Sequence, residues 1–327
     1  MIQVTDNMIY NNINSELLNE STNIYNLQDQ ISSGLQINYP QDNPSGMANV
    51  LSYKNSMALV TQYNSNVSLA NEVGSLASST ISNTISVVNQ AQTLAVEMAN
   101  GTNTSMNNAA AAKEVGQIIN ELTAAANTSY NGQNIFTGTN LNQAAAYTVT
   151  TASYTTPSGS AVSYNAYTYA GTDTNQNYQI TQNESIAPSL TADSIFGNDK
   201  ANPSGNPPIA SYNPSGLISV LSLFQSELSG GTYQSDSSNI ISGLQNGLNT
   251  MLSAQSTIGT VVQRLNEQQT SYQTVLSNIS QLLGQTQDVN VATAMTSLTQ
   301  AQNSYQATLE ASSNITSLTP MLLQYLK

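Results

Sequence analysis

The sequence contains no histidine, no cysteine and no tryptophan. Losing histidine and cysteine removes the commonest general base, the thiolate nucleophile and nearly every soft-metal ligand set. Carboxylates, tyrosines and four lysines are what remain for chemistry. Charge is also scarce: 7% of residues carry it, against about a quarter in an average globular protein. Eighteen acids stand against five bases, a net charge of −13, which repels a phosphate backbone and anionic membranes and argues against nucleic-acid partners. No apolar run of about 18 residues, the length that would mark a membrane-spanning helix, occurs, so no membrane insertion is expected. The N-terminal stretch has neither a basic segment nor a continuous apolar one, so no cleavable signal peptide is expected. The lack of cysteine fits work outside the reducing cytosol without disulfides.

What fills the sequence instead is amide, hydroxyl and aliphatic side chains in helical order. From Met8 to Gly34 the apolar residues Ile13, Leu17, Ile24, Leu27 and Ile31 recur at heptad spacing, with Glu20 in one interior slot, a seam that needs a partner helix. Gly34 is placed to end that helix. The segment Asn38–Gly46, NYPQDNPSG, reads as a loop from its prolines and turn-forming residues. Helical periodicity then runs from Met47 to about Ala99, with a second helix over Met106–Ser129. The Asn131-Gly132 pair predicts a tight turn. Between Asn140 and Asn213 tyrosines cluster, and Val162, Tyr164, Tyr167 and Tyr169 alternate as in a strand, predicting sheet packing and cross-strand pairs. Helices resume at Leu217, and a last one begins near Asp288 with a seam through Val291, Met295, Leu298, Tyr305, Leu309, Leu318, Leu322 and Leu326.

These signals predict a mainly α fold: a long antiparallel helical bundle formed by the N- and C-terminal regions, with a small β-rich domain inserted. The expected parts are residues 1–45 and 286–327 as a terminal coiled coil, 46–139 and 214–285 as the helical rod, and 140–213 as the insert. The acids Glu184, Asp193 and Asp199 match no calcium-loop spacing and read as solvated loop carboxylates. No dinucleotide fingerprint, nucleophile elbow or zinc-helix motif occurs. No catalytic residue, metal site or cofactor is expected.

Three segments carry a family resemblance: NMIYNNINSELL at Asn7–Leu18, QISSGLQINYPQDNPSGMA at Gln30–Ala48 and MANGTN at Met98–Asn103 resemble the N-terminal region of flagellins and their relatives. Within that superfamily, NPSG at Asn43–Gly46, GQNIFTG at Gly132–Gly138 and the ending Leu298–Leu326 are most similar to the hook-filament junction proteins, also called hook-associated protein 3. The resemblance covers both ends and leaves the middle of the chain unmatched. It implies a structural subunit that is not an enzyme, located outside the cell on the bacterial flagellum, where it connects hook to filament and supports motility. The alternatives are flagellin itself, as a filament subunit, or a secreted adhesin. Partners implied are further copies of the chain and other axial proteins: the hook side, a second junction protein and flagellin, with a type III export chaperone. The thirteen seam residues named above on the two terminal helices are the candidate subunit-packing surface.

Scarce charge also bears on stability. A fold whose surface is amide and hydroxyl has few ion pairs to lose when carboxylates protonate. The melting temperature is therefore expected to show little loss between pH 7 and pH 3, and a steep fall over that interval in a calorimetric scan would contradict this.

Overall fold

The structure, a computed structural model, describes residues 6–199 and 214–325. In chain order the elements are α1 (Asp6–Ser33), α2 (Pro44–Met98), α3 (Ser105–Ala126), β1 (Ser129–Tyr130), β2 (Gln133–Asn134), β3 (Tyr147–Thr155), β4 (Ala161–Tyr169), β5 (Tyr178–Thr181), β6 (Glu184–Ile186), α4 (Ala192–Phe196), α5 (Leu217–Gly230), α6 (Tyr233–Gln287) and α7 (Val291–Tyr325). Helices take most of the described residues, so the fold is mainly α. The strands form three separate antiparallel hairpins. The chain divides into two compact units, 1–61 with 274–327 and 62–273, and α2 and α6 contribute to both.

Unit 62–273 owns the hydrophobic core. On α2 the buried side chains Val73, Ala77, Ile81, Val88, Ala91, Leu94 and Ala95 fall on one stripe, and on α6 Tyr233, Ile240, Leu244, Met251, Ala254 and Ile258 do the same. Helix α3 adds Val115, Ile118, Ile119 and Leu122, and α5 is buried along most of its length. The strands share this core rather than building their own. Val162, Tyr164 and Tyr169 of β4 are buried within it, and the Tyr147 and Tyr169 rings meet edge-on at 6.0 Å. Asn131 (φ 50°) and Gly132 (φ 78°) turn β1 into β2, the left-handed pair that a two-residue hairpin turn requires.

In the β3–β4 hairpin one edge belongs to β4, and a strand edge exposes unpaired N–H groups. Here α5 closes it. The Ser222 hydroxyl accepts from Asn165 N–H at 2.9 Å and the Ser219 hydroxyl from Tyr167 N–H at 2.8 Å, while Asn198 Oδ1 accepts from Tyr169 N–H at 2.9 Å. This explains the two serines on the buried face of a largely apolar helix. The second long-range clamp holds β5–β6. Asn66 donates to the Gln179 carbonyl at 2.8 Å, the Tyr272 hydroxyl donates to the Ile180 carbonyl, and Arg264 pairs with Glu184. That ion pair is largely exposed and contributes at most about 1 kcal/mol.

Two readings of the sequence need correction. The NPSG segment is not loop throughout: α2 starts at Pro44, because Asn43 caps it through a 2.8 Å bond from Gly46 N–H to Asn43 Oδ1 and proline suits a first helical turn. Asp199 is not a solvated carboxylate. It is buried, with the Tyr164 hydroxyl at 3.3 Å from Oδ2 and Ser215 N–H at 3.5 Å from Oδ1.

Replacing Ser219 by alanine is expected to strand a backbone donor of β4 in the core and cost about 1–3 kcal/mol, read as a lower denaturant midpoint at unchanged slope. Wild-type stability in that variant would show that α5 does not close the edge.

Candidate functional site: a helical pair with spare apolar stripes

The second unit is built from α1, the start of α2, the end of α6, and α7. Its two ends are tied by backbone. Gln36 N–H donates to the Gln287 carbonyl at 2.7 Å and Val289 N–H to the Gly34 carbonyl at 2.9 Å, around an antiparallel bridge of Leu35 with Asp288. Side chains reinforce the tie: the Gln36 amide donates to the Thr286 carbonyl at 3.0 Å and the buried Gln287 amide to the Ile37 carbonyl at 3.3 Å. Ile37 is buried directly against Gly46, where a Cβ would stand 2.5 Å from Ile37 Cδ1. Gly34, at φ 74°, ends α1 and lets the chain enter this tie. Asp288 therefore sits in the bridge, and Asn290 caps α7, accepting from Thr293 N–H at 3.2 Å.

Beyond the tie α1 packs on α7. The α1 seam residues Ile13, Leu17, Ile24, Leu27 and Ile31 are all half-buried. Glu20 shares their stripe, with Oε2 shielded from water and unbonded. On α7 the covered stripe runs Ala294, Leu298, Ala301, Tyr305 and Thr308, spaced 4, 3, 4 and 3. Of the expected α7 seam, Leu298 and Tyr305 lie on this stripe, whereas Val291, Met295 and Leu309 lie outside it, 50%, 51% and 43% exposed. The covered stripe of α7 thus mixes small residues with Leu298 and Tyr305, while Val291, Met295 and Leu309 stay exposed. Leu318 and Leu322 fall within α7 where side chains are not described, and Leu326 lies outside the described residues.

Helix α1 also carries a second stripe. Leu18 and Tyr25, seven residues apart, are 62% and 67% exposed, and at about 100° per residue they sit roughly 120–140° around the helix from the inner seam. Most exposed large apolar side chains among the described residues belong to this unit: Met8, Tyr10, Leu18, Tyr25, Tyr39, Leu51, Leu59, Val275, Leu282, Val291, Met295 and Leu309. Unit 62–273, with nearly all of the core, exposes Leu69, Val96, Met106, Val149 and Leu252. Such concentration of exposed apolar surface marks an interaction face.

Residues 4–141 match the bacterial flagellin N-terminal helical region. That match takes in less than half of the chain. It covers the whole of α1, α2 and α3 from Val4 onward and both strands of the first hairpin. A curated flagellin of Clostridium tyrobutyricum is 29% identical over 136 residues, which is 41% of this chain and 36% of that protein, so the chain spans about a third of the length of that relative. Beyond the flagellin region the likeness is one of fold. A flagellar hook-associated protein of Vibrio parahaemolyticus superposes with a TM-score of 0.61 at 14% identity, over 76% of this chain and all of that one. Hook-associated protein 3 of Legionella pneumophila gives 0.56 at 14% identity over 72% and 97%, and the flagellar junction protein of that organism 0.54 at 14% over 73% and 99%. Among the described residues no helix is long and apolar enough to cross a membrane, and no group of three or more acidic side chains gathers as a metal site.

Helix α1 has no fully buried side chain over residues 10–33, and α7 has only Ala294 and Ala301 over 291–313. Helices held by one half-covered seam open locally at small cost. In dilute monomer, amides of residues 10–33 and 291–313 are expected to exchange with deuterium well before those of residues 70–98. Equal protection, read by mass spectrometry, would overturn this.

Proposed function

We propose that this chain is a structural subunit of the bacterial flagellum that assembles at the hook-filament junction, and that its partners are copies of itself and neighbouring axial proteins. The observation that carries the reading is the split between the units: one encloses a core, while the other leaves apolar stripes on α1 and α7 uncovered. A surface of that kind gains most when neighbours cover it. The likeness in fold to hook-associated proteins supports the junction over other axial positions. The described seam residues divide accordingly, Ile13, Leu17, Ile24, Leu27, Ile31, Leu298 and Tyr305 joining α1 to α7 and Val291, Met295 and Leu309 facing neighbours. Export of the unfolded chain, with help from a chaperone, agrees with a chain that needs no disulfide to refold, and it places the subunit outside the cell. The role is mechanical rather than catalytic.

A filament subunit is the second reading, favoured by the flagellin of C. tyrobutyricum. Purified chain should separate the two under the electron microscope: a junction subunit stays short or unassembled alone, whereas a flagellin polymerises into long filaments.

Leu309→Asp and Tyr25→Asp place charge on the outer stripes without touching the core of unit 62–273. Both are expected to abolish incorporation at hook ends and motility while the melting of that unit and the far-ultraviolet dichroism stay as in wild type. Full motility in both variants would remove the outer stripes from the subunit interface.

A further inference from the structure

Where α5 turns into α6, two acids meet without a base. Glu227 is fully buried and Asp236 is 1% exposed. Both Glu227 carboxyl oxygens and Asp236 Oδ2 are sealed from water and have no hydrogen-bond partner among fixed donors. Asp236 Oδ1 is satisfied, accepting from the Asn239 amide at 2.6 Å and from the Tyr154 hydroxyl of β3 at 3.1 Å. The groups facing Glu227 are Asp236 and Tyr233 from α6 and Tyr154 from β3. None is basic. Lys113, on the α3 helix that packs against α5, is exposed, as is its neighbour Glu114, and Glu97 on α2 is exposed as well. Two adjacent carboxylates buried without a counter-ion would be strongly unfavourable, so a proton has to stand between them.

Which carboxyl keeps the proton follows from the helices. Asp236 lies in the first turn of α6, where the amide dipoles favour an anion, and Glu227 lies in the last turn of α5, where they oppose one. Burial is the largest influence on Glu227, followed by its hydrogen bond with Asp236 and the charge on that residue, and together they push its pKa up to about 9. The chain around the pair is tightly held: Gly231 turns at φ 71°, Thr232 N–H donates to the Glu227 carbonyl at 3.0 Å, and the Tyr233 hydroxyl reaches the Ala95 carbonyl at 2.7 Å.

We propose that Glu227 and Asp236 form a carboxylic acid–carboxylate pair whose proton makes the junction of α5, α6 and β3 a pH-sensitive latch, closed in acid and loosened in alkali. The proton leaves Glu227 to solvent as hydroxide rises; the two anions then repel across the turn, and Tyr154 loses a fixed acceptor. The direction is opposite to ordinary acid denaturation. The folded state binds a proton that the unfolded chain has released above its ordinary carboxyl pKa of 4.5, so this pair's contribution is fully present below that value and is lost as pH rises toward 9.

In urea titrations of the full chain, the wild-type unfolding constant is expected to grow by up to about tenfold per pH unit between pH 6 and pH 8 from this site. Glu227→Gln, which keeps a donor toward Asp236, should remove that slope and be the more stable protein at pH 9. Carbon-13 spectra of glutamate-labelled wild type read the same proton without a variant: one side-chain carboxyl should be neutral at pH 7 and ionise near pH 9. A Glu227 signal ionised at pH 7, or a slope unchanged by Glu227→Gln, overturns the proposal. So does stabilisation of wild type, and not of Glu227→Gln, by millimolar calcium or sodium at pH 8, because a metal cation would then hold the place given to the proton.

Discussion

With five basic residues against eighteen acids, almost no buried carbonyl or carboxylate in this chain can be met by a cation, so the fold depends on hydroxyl and amide donors. Tyrosine is the principal one. Tyr147 donates to the Ala192 and Gly197 carbonyls, Tyr169 to Phe136, Tyr233 to Ala95 and Tyr272 to Ile180. Burial raises the pKa of Tyr147, Tyr169 and Tyr233, which keeps these hydroxyls protonated and therefore donating. Serines 219 and 222 play the complementary part, accepting from a strand edge. Where no neutral donor reaches, at Glu227, a proton takes its place. Hydrogen bonds of this kind are short in range and satisfied one by one, so each ties a named residue to a named backbone group, and they resist salt in a way that ion pairs do not.

The helices were legible because their periodicity is strong. The α1 seam is half-buried along its whole predicted length, and of the alternating strand residues Val162, Tyr164 and Tyr169 are buried while Tyr167 is half-buried, Ala166 taking the inner position. The sequence misled where capping residues decide. On α7 the covered stripe runs through Ala294, Leu298, Ala301, Tyr305 and Thr308, a heptad that shows once alanine is counted as apolar. At NPSG the two prolines suggested a loop, although asparagine followed by proline is also the start signal of a helix. The carboxyl pair was not legible at all. Glu227 and Asp236 are ordinary in sequence and become unusual only when Gly231 folds α5 back on α6.

The two units stand in different energetic positions. In 62–273 the core spans segments far apart in sequence, and once it forms, the ends of α2 and α6 belong to ordered helices. The tie of Gly34–Ile37 to Thr286–Val289 closes a loop of some 250 residues, and closure entropy grows only slowly with loop length. A few backbone bonds suffice to join the chain ends, and α1 and α7 can extend beyond them on a thin seam.

That arrangement leaves each terminal helix with two stripes and one partner. The outer stripe of α1 carries Leu18 and Tyr25; the outer stripe of α7 carries Val291, Met295 and Leu309. The two surfaces differ in residue type. A contact that set the α1 stripe of one copy against the α7 stripe of the next would be heterologous, and heterologous contacts either close into a ring or continue as a helix. An isologous dimer, by contrast, would cover one stripe and leave the other in water. Covering both stripes therefore takes more than one neighbouring surface.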